Sequence, residues 1–134
     1  MAPSRKRRDS CLEESSVADL ERGMASGELT SLDVCRHYLD RIRKLDRAGP
    51  KLGSVIECNP DALAIAKERD RERRAGKTRG PLHGVPVLLK DNIDTHDLMQ
   101  TTAGSLALEG AAAPRDAFLA RRLRAAGAVI LGKT

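Results

Sequence analysis

Apolar residues recur at helical spacing through Val17, Leu20 and Met24 towards Gly27, which predicts a helix with Ser15 or Ser16 as its cap. The pattern restarts almost at once. Thr30, with Asp33 three residues later, supplies a cap and an acidic first turn, and Leu32, Cys35, Tyr38, Leu39, Ile42 and Leu45 form one apolar stripe. Arg36, Asp40, Arg41, Arg43 and Lys44 occupy the polar side, and Gly49 with Pro50 marks the exit. A stripe of this kind predicts a core face.

Ser54 to Cys58 is short and partly β-branched, which predicts a strand. Asn59 followed by Pro60 is a helix-start signal for a helix over 60–75. Ala62, Leu63, Ile65 and Ala66 give that helix an apolar beginning. Lys67 to Arg74 mixes charges of both signs and reads as a solvated, salt-bridged face ending at Gly76. Gly80, Pro81, Gly84 and Pro86 then punctuate a loop that leads into Val87, Leu88 and Leu89, a short buried strand terminated by Lys90. Thr95 to Ala113 has no strong period and predicts irregular backbone. A last helix is expected with Asp116 as cap, Phe118, Leu119, Leu123 and Ala126 as its apolar residues and Gly127 as its stop. A buried strand over Ala128–Leu131 should follow. Strands alternating with helices indicate an α/β arrangement with at least some parallel pairing.

A length of 134 residues allows one domain or part of a larger one. Tyr38 and Phe118 are the only large aromatics. Because each such side chain buries roughly 150–250 Å², the core is thin, and marginal stability or a missing remainder follows from composition alone. The net charge of +5 is uneven, with Arg5, Lys6, Arg7 and Arg8 in one run. That run reads as part of a disordered, solvated basic tail over residues 1–15, the other reading being a nuclear address or phosphate-contacting arm. Nucleic-acid binding is not expected, since stacking aromatics are nearly absent. Cys11, Cys35 and Cys58 suggest neither a disulfide framework nor a zinc site, and so a reducing, cytoplasmic setting. No apolar run approaches the roughly 18–20 residues of a membrane span, and acidic residues follow the basic N-terminus. A soluble, unprocessed protein is therefore expected.

Gly127 to Thr134 has the spacing of a phosphate-binding loop, yet its variable residues are four apolar ones following a helix, and no helix follows to supply an N-terminal dipole. A nucleotide site is not expected. Lys90 closes an apolar strand on the same face as Leu88 and Pro86. Two readings apply to it: a strand-end lysine reaching water, and a partly desolvated amine able to act as a general base. His37, His83 and His96 fall in different elements and read as surface or loop histidines, with no metal spacing. Asp91 and Asp94 flank Asn92 without the rest of a calcium loop, so turn chemistry accounts for them.

The segment Gly80-Pro-Leu-His-Gly-Val-Pro-Val-Leu-Leu-Lys90-Asp-Asn-Ile-Asp94 is similar to the lysine-bearing segment of the amidase-signature family. Ser26-Gly-Glu-Leu-Thr-Ser31, Asn59-Pro-Asp-Ala62, Thr101-Thr-Ala-Gly-Ser105 and Ala125 to Thr134 resemble further family segments in the same order. The resemblance implies an incomplete amidase-signature fold over residues 16–134, a mixed sheet flanked by helices, with Lys90 in the place of the catalytic lysine. It implies cleavage of amides by a serine nucleophile, a cis-peptide serine that relays the proton, and that lysine, without metal or cofactor.

Both family serines belong to a glycine- and serine-rich segment further downstream, and Ser105 belongs to a different one. The 134 residues alone are therefore expected to be inactive. Three readings stand: an amidase-type hydrolase of small-molecule amides present as an incomplete chain, an amidotransferase subunit that releases ammonia from glutamine, and a non-catalytic interaction protein derived from an amidase. The protein partner is open in each.

Overall fold

The computed structural model describes residues 12–134. The Arg5–Arg8 run and Cys11 lie outside that range. Packing reaches back further than the expected boundary at residue 16, because Leu12 is buried with Leu20, Met24, Val34 and Val85, and its carbonyl accepts from the Tyr38 hydroxyl at 2.8 Å.

Helix α1, Val17–Ser26, starts on a capping box in which Ser16 Oγ accepts from the Asp19 N–H and the Asp19 carboxylate accepts from the Ser16 N–H. It ends on Gly27 in the left-handed region, φ 79°. Helix α2, Ser31–Arg41, is capped by Thr30, whose hydroxyl accepts from the Asp33 N–H at 3.0 Å. The single long helix expected through Leu45 instead widens into a π-helical segment, Ile42–Arg47. Asp46 gives the reason: its carboxylate turns inward and accepts from the Ser54 N–H, the Ser54 hydroxyl and the Val55 N–H. Ser54 holds the Asp46 carboxyl below the usual range.

Three strands form a mixed sheet in the order β1-β3-β2. β1, Glu57–Cys58, runs antiparallel to β3, Val129–Lys133, with Glu57 opposite Lys133. β2, Pro86–Leu89, runs parallel to β3 on its other side, with Leu89 opposite Lys133. Every residue of β3 is buried, as expected of a central strand with both faces covered. Val129 and Leu131 face Cys35, Ala62 and Ala66. Ile130 faces Leu89, Met99 and Ala120. The period of two thus sends alternate side chains into two cores.

Helix α3, Ala62–Arg74, follows the Asn59 turn, where the Asn59 side-chain oxygen accepts from the Asp61 N–H and its amide donates to the Ile130 carbonyl. Its charged half is not the fully solvated face expected. Asp70 is buried and accepts from the Ser31 and Leu32 N–H groups at 2.7 and 3.0 Å, so one helix supplies the N-terminal anchor of another. Helix α4, Phe118–Ala125, packs through Ala120 and Leu123, whereas Phe118 and Leu119, two of its apolar residues, are exposed. Asp116 does not cap it either; its carboxylate accepts from the His96 N–H and pairs with Arg124.

Candidate active site

The C-terminal ends of the parallel strands β2 and β3 lie side by side, the position at which open α/β sheets place their ligands. Lys90 is the first residue beyond β2 and is exposed. Its backbone is held on both sides by the last residue of the chain: Thr134 N–H donates to the Leu89 carbonyl and Asp91 N–H donates to the Thr134 carbonyl, each at 2.8 Å. Leu88, two residues before it on the edge strand β2, is exposed as well.

Asp91 is buried and ties this edge to the segment Thr101–Ser105. Its carboxylate accepts from the Thr102 N–H at 3.2 Å and the Thr102 hydroxyl at 2.5 Å. Its carbonyl accepts from the Ala103 N–H at 3.0 Å. Ala103 has φ 50°, a left-handed conformation uncommon for a residue with a Cβ, and it is maintained by this bond. Turn chemistry alone was expected of Asp91; the buried, long-range role corrects that reading.

Lys133, met in the sequence only as part of a phosphate-loop spacing, is fully buried at the end of β3. Its ammonium donates to the Ile93 carbonyl at 2.9 Å, the Gln100 carbonyl at 3.2 Å and the Thr101 hydroxyl at 3.0 Å, with an Asp91 carboxylate oxygen at 4.0 Å. Burial pushes its pKa below the ordinary lysine value, and Asp91, Asp97, Asp94 and Glu57 oppose that shift. Strict alternation would put Lys133 on the face of Val129 and Leu131; the register shift in the β2–β3 pairing sets it opposite Leu89 instead, with its ammonium against Ile93 and Gln100.

The other residues singled out lie apart from this edge. His83 is fully buried, not a surface histidine; its Nε2 lies 2.9 Å from the Arg69 carbonyl and its Nδ1 accepts from the Arg79 N–H at 3.3 Å. His96 is exposed on the loop that reaches Ala113 and Asp116. Ser105 is exposed, with its N–H donating to the Thr102 carbonyl. Among the described residues no group of three or more His, Cys, Asp or Glu side chains is placed to hold a metal ion, and no helix is long and apolar enough to cross a membrane.

Residues 33–134 match the family model described as Amidase. The chain is 45% identical over 130 residues to a protein of Schizosaccharomyces pombe named as an amidase, with 97% of this chain and 22% of that protein covered. It is 45% identical over 120 residues to a glutamyl-tRNA(Gln) amidotransferase subunit of Thermobifida fusca, with 89% of this chain and 23% of that protein covered. In structure it is similar to the peptide amidase of Stenotrophomonas maltophilia, with a TM-score of 0.87 and 61% identity over 91% of this chain and 25% of that one. The chain thus spans about a quarter of the length of the relatives it matches. With the motifs in family order, the fold shared and most of the sequence matched, the chain belongs to the amidase family.

Proposed function

We propose that Lys90 is the base of an amidase-type acyl transfer, and that residues 16–134, with packing extending to Leu12, form the N-terminal part of an amidase domain. The observation that carries this reading is the placement of Lys90. It stands exposed at the C-terminal end of a parallel strand, inside the Gly80–Asp94 segment, with its backbone bracketed by Thr134.

In the proposed reaction a serine hydroxyl adds to the amide carbonyl as its proton passes through the relay serine to Lys90. The carbon–nitrogen bond then breaks as the nitrogen takes up that proton, and water releases the acyl group. Neither family serine segment is among these 134 residues, so on this reading they contribute the base and not the nucleophile. The substrates are small amides, and the setting is cytoplasmic. The similarity to a glutamyl-tRNA(Gln) amidotransferase supports a second reading, in which the same chemistry releases ammonia from glutamine for a partner enzyme.

A chimera tests the base. Residues 12–134 replace the corresponding quarter of the Stenotrophomonas maltophilia peptide amidase, to which the fold is similar at a TM-score of 0.87. The chimera should hydrolyse a peptide amide, and Lys90→Ala should lower its kcat by at least about 100-fold, the low end for loss of a general base. An active Lys90→Ala chimera would sink the proposal. The isolated 134-residue chain should show no turnover on an aryl amide panel, and turnover lost on Lys90→Ala would mean that it contains its own nucleophile.

A further inference from the structure

We propose that Lys133 is a positioning residue for Lys90, acting as a buried cationic clamp on the loop that follows β2. The proposal rests on the reading of Lys90 as the base. Lys133 stands on the central strand directly opposite Leu89, the residue before Lys90, and its side chain is fully buried.

A buried ammonium is unfavourable unless each of its donors is satisfied and opposite charge lies near. Both conditions hold. Lys133 has three N–H donors and three acceptors within 3.2 Å: the carbonyls of Ile93 and Gln100 and the hydroxyl of Thr101. An apolar side chain would fill the same space and leave all three without a donor. The acceptors come from both ends of one loop, so a single side chain closes that loop against the sheet.

Asp91 links the clamp to Lys90. One of its carboxylate oxygens lies 4.0 Å from the Lys133 ammonium, the other accepts from Thr102, and its N–H is bound to Thr134, the neighbour of Lys133. Lys90 is therefore enclosed between Leu89, which pairs with Lys133 in the sheet, and Asp91, which faces its charge. Freedom in the loop would reach the direction of Lys90 through these two neighbours.

The test uses the 134-residue chain and its Lys133→Ala variant, isotopically labelled for NMR, each in buffer alone, with n-propylammonium and with n-propanol. The amine replaces the missing atoms and charge, whereas the alcohol replaces bulk without charge. In Lys133→Ala, amide exchange at Asp91 and Ala103 should rise about tenfold or more relative to Val34 and Ala66, as for selective opening of one loop. The Lys90 amide resonance should move as well. n-Propylammonium should reverse both effects, and n-propanol should reverse neither. Unchanged exchange, an unmoved Lys90 resonance, or equal rescue by the alcohol overturns the proposal.

If Lys133→Ala does not fold, Thr101→Val removes one acceptor while keeping the side-chain shape. Faster exchange at Ala103 with Val34 and Ala66 unchanged is then the expected result, and no local change overturns the clamp. Failure of the base reading shows separately, as an active Lys90→Ala chimera, and leaves these spectra unaffected.

Discussion

Thr134 brackets Lys90: its N–H donates to the carbonyl of the residue before the lysine, and its carbonyl accepts from the N–H of the residue after it. The lysine backbone is thus fixed by the sheet while its side chain stands in the open. The strand ladder sets where Lys90 stands, and its exposed side chain takes no part in that ladder.

That division predicts a small stability effect. Lys90→Ala removes an exposed side chain and no backbone hydrogen bond. Its urea midpoint should therefore shift by no more than about 0.5 kcal/mol in equivalent stability. A larger loss would show that the side chain holds the fold, and would recast any activity lost with it.

Asp70 should matter far more than its place in a charged run suggests. It accepts two backbone N–H groups at the start of α2 while buried. Asp70→Ala should cost about 2 kcal/mol, since charge-assisted bonds to buried donors are lost together. Chemical denaturation measures this, and a neutral substitution would show that water or Thr30 alone can start the helix.

His83 makes stability depend on pH. The Arg79 N–H can only donate and the Arg69 carbonyl can only accept, so Nδ1 is unprotonated and Nε2 carries the proton. Burial pushes its pKa below the ordinary histidine value. The unfolded chain then takes up this proton at a higher pH than the folded chain does. Stability is complete above the unfolded value of about 6.5 and falls below it, by up to about 1.4 kcal/mol per pH unit, until the folded value is reached. Urea midpoints between about pH 7.5 and 5.5 should show this fall, and His83→Met should flatten it in that window.

Gly127 closes the same site from the other side. It has φ 83°, and a Cβ there would lie 2.6 Å from His83 Nδ1. Gly127→Ala should destabilise by about 2 kcal/mol or more, combining backbone strain with overpacking. A thermal melt equal to that of the wild type would contradict this.

Cys35 is predicted to be inert. Burial pushes its thiol up to about 12, and it is a free cysteine. Thiol labelling near neutral pH should modify Cys35 only as fast as the chain opens, since the thiolate is the reacting form. Mass mapping of the labelled protein distinguishes it from the less buried Cys58.

Residue periodicity and end signals determined much of this protein. The Ser16, Thr30 and Asn59 turns, Gly27 as a helix stop, the short strand before Lys90 and the buried run Val129–Leu131 all follow from local rules that act within a few residues. The family was legible because fifteen consecutive residues, Gly80–Asp94, carry the resemblance. Tertiary structure decided which polar groups went inside. Asp46, Asp70, His83, Asp91 and Lys133 are all buried, and nothing in their immediate neighbours distinguishes them from solvated charges. Each is held by partners distant in sequence or by a neighbouring loop, such as Ser31 for Asp70 and Gln100 for Lys133. The same holds for Phe118, placed outside because Ala120 and Leu123 were the side chains that fitted against Ile130. Burial of a charge depends on whether its donors and acceptors are met across the fold, and that condition exists only once the chain has closed around it.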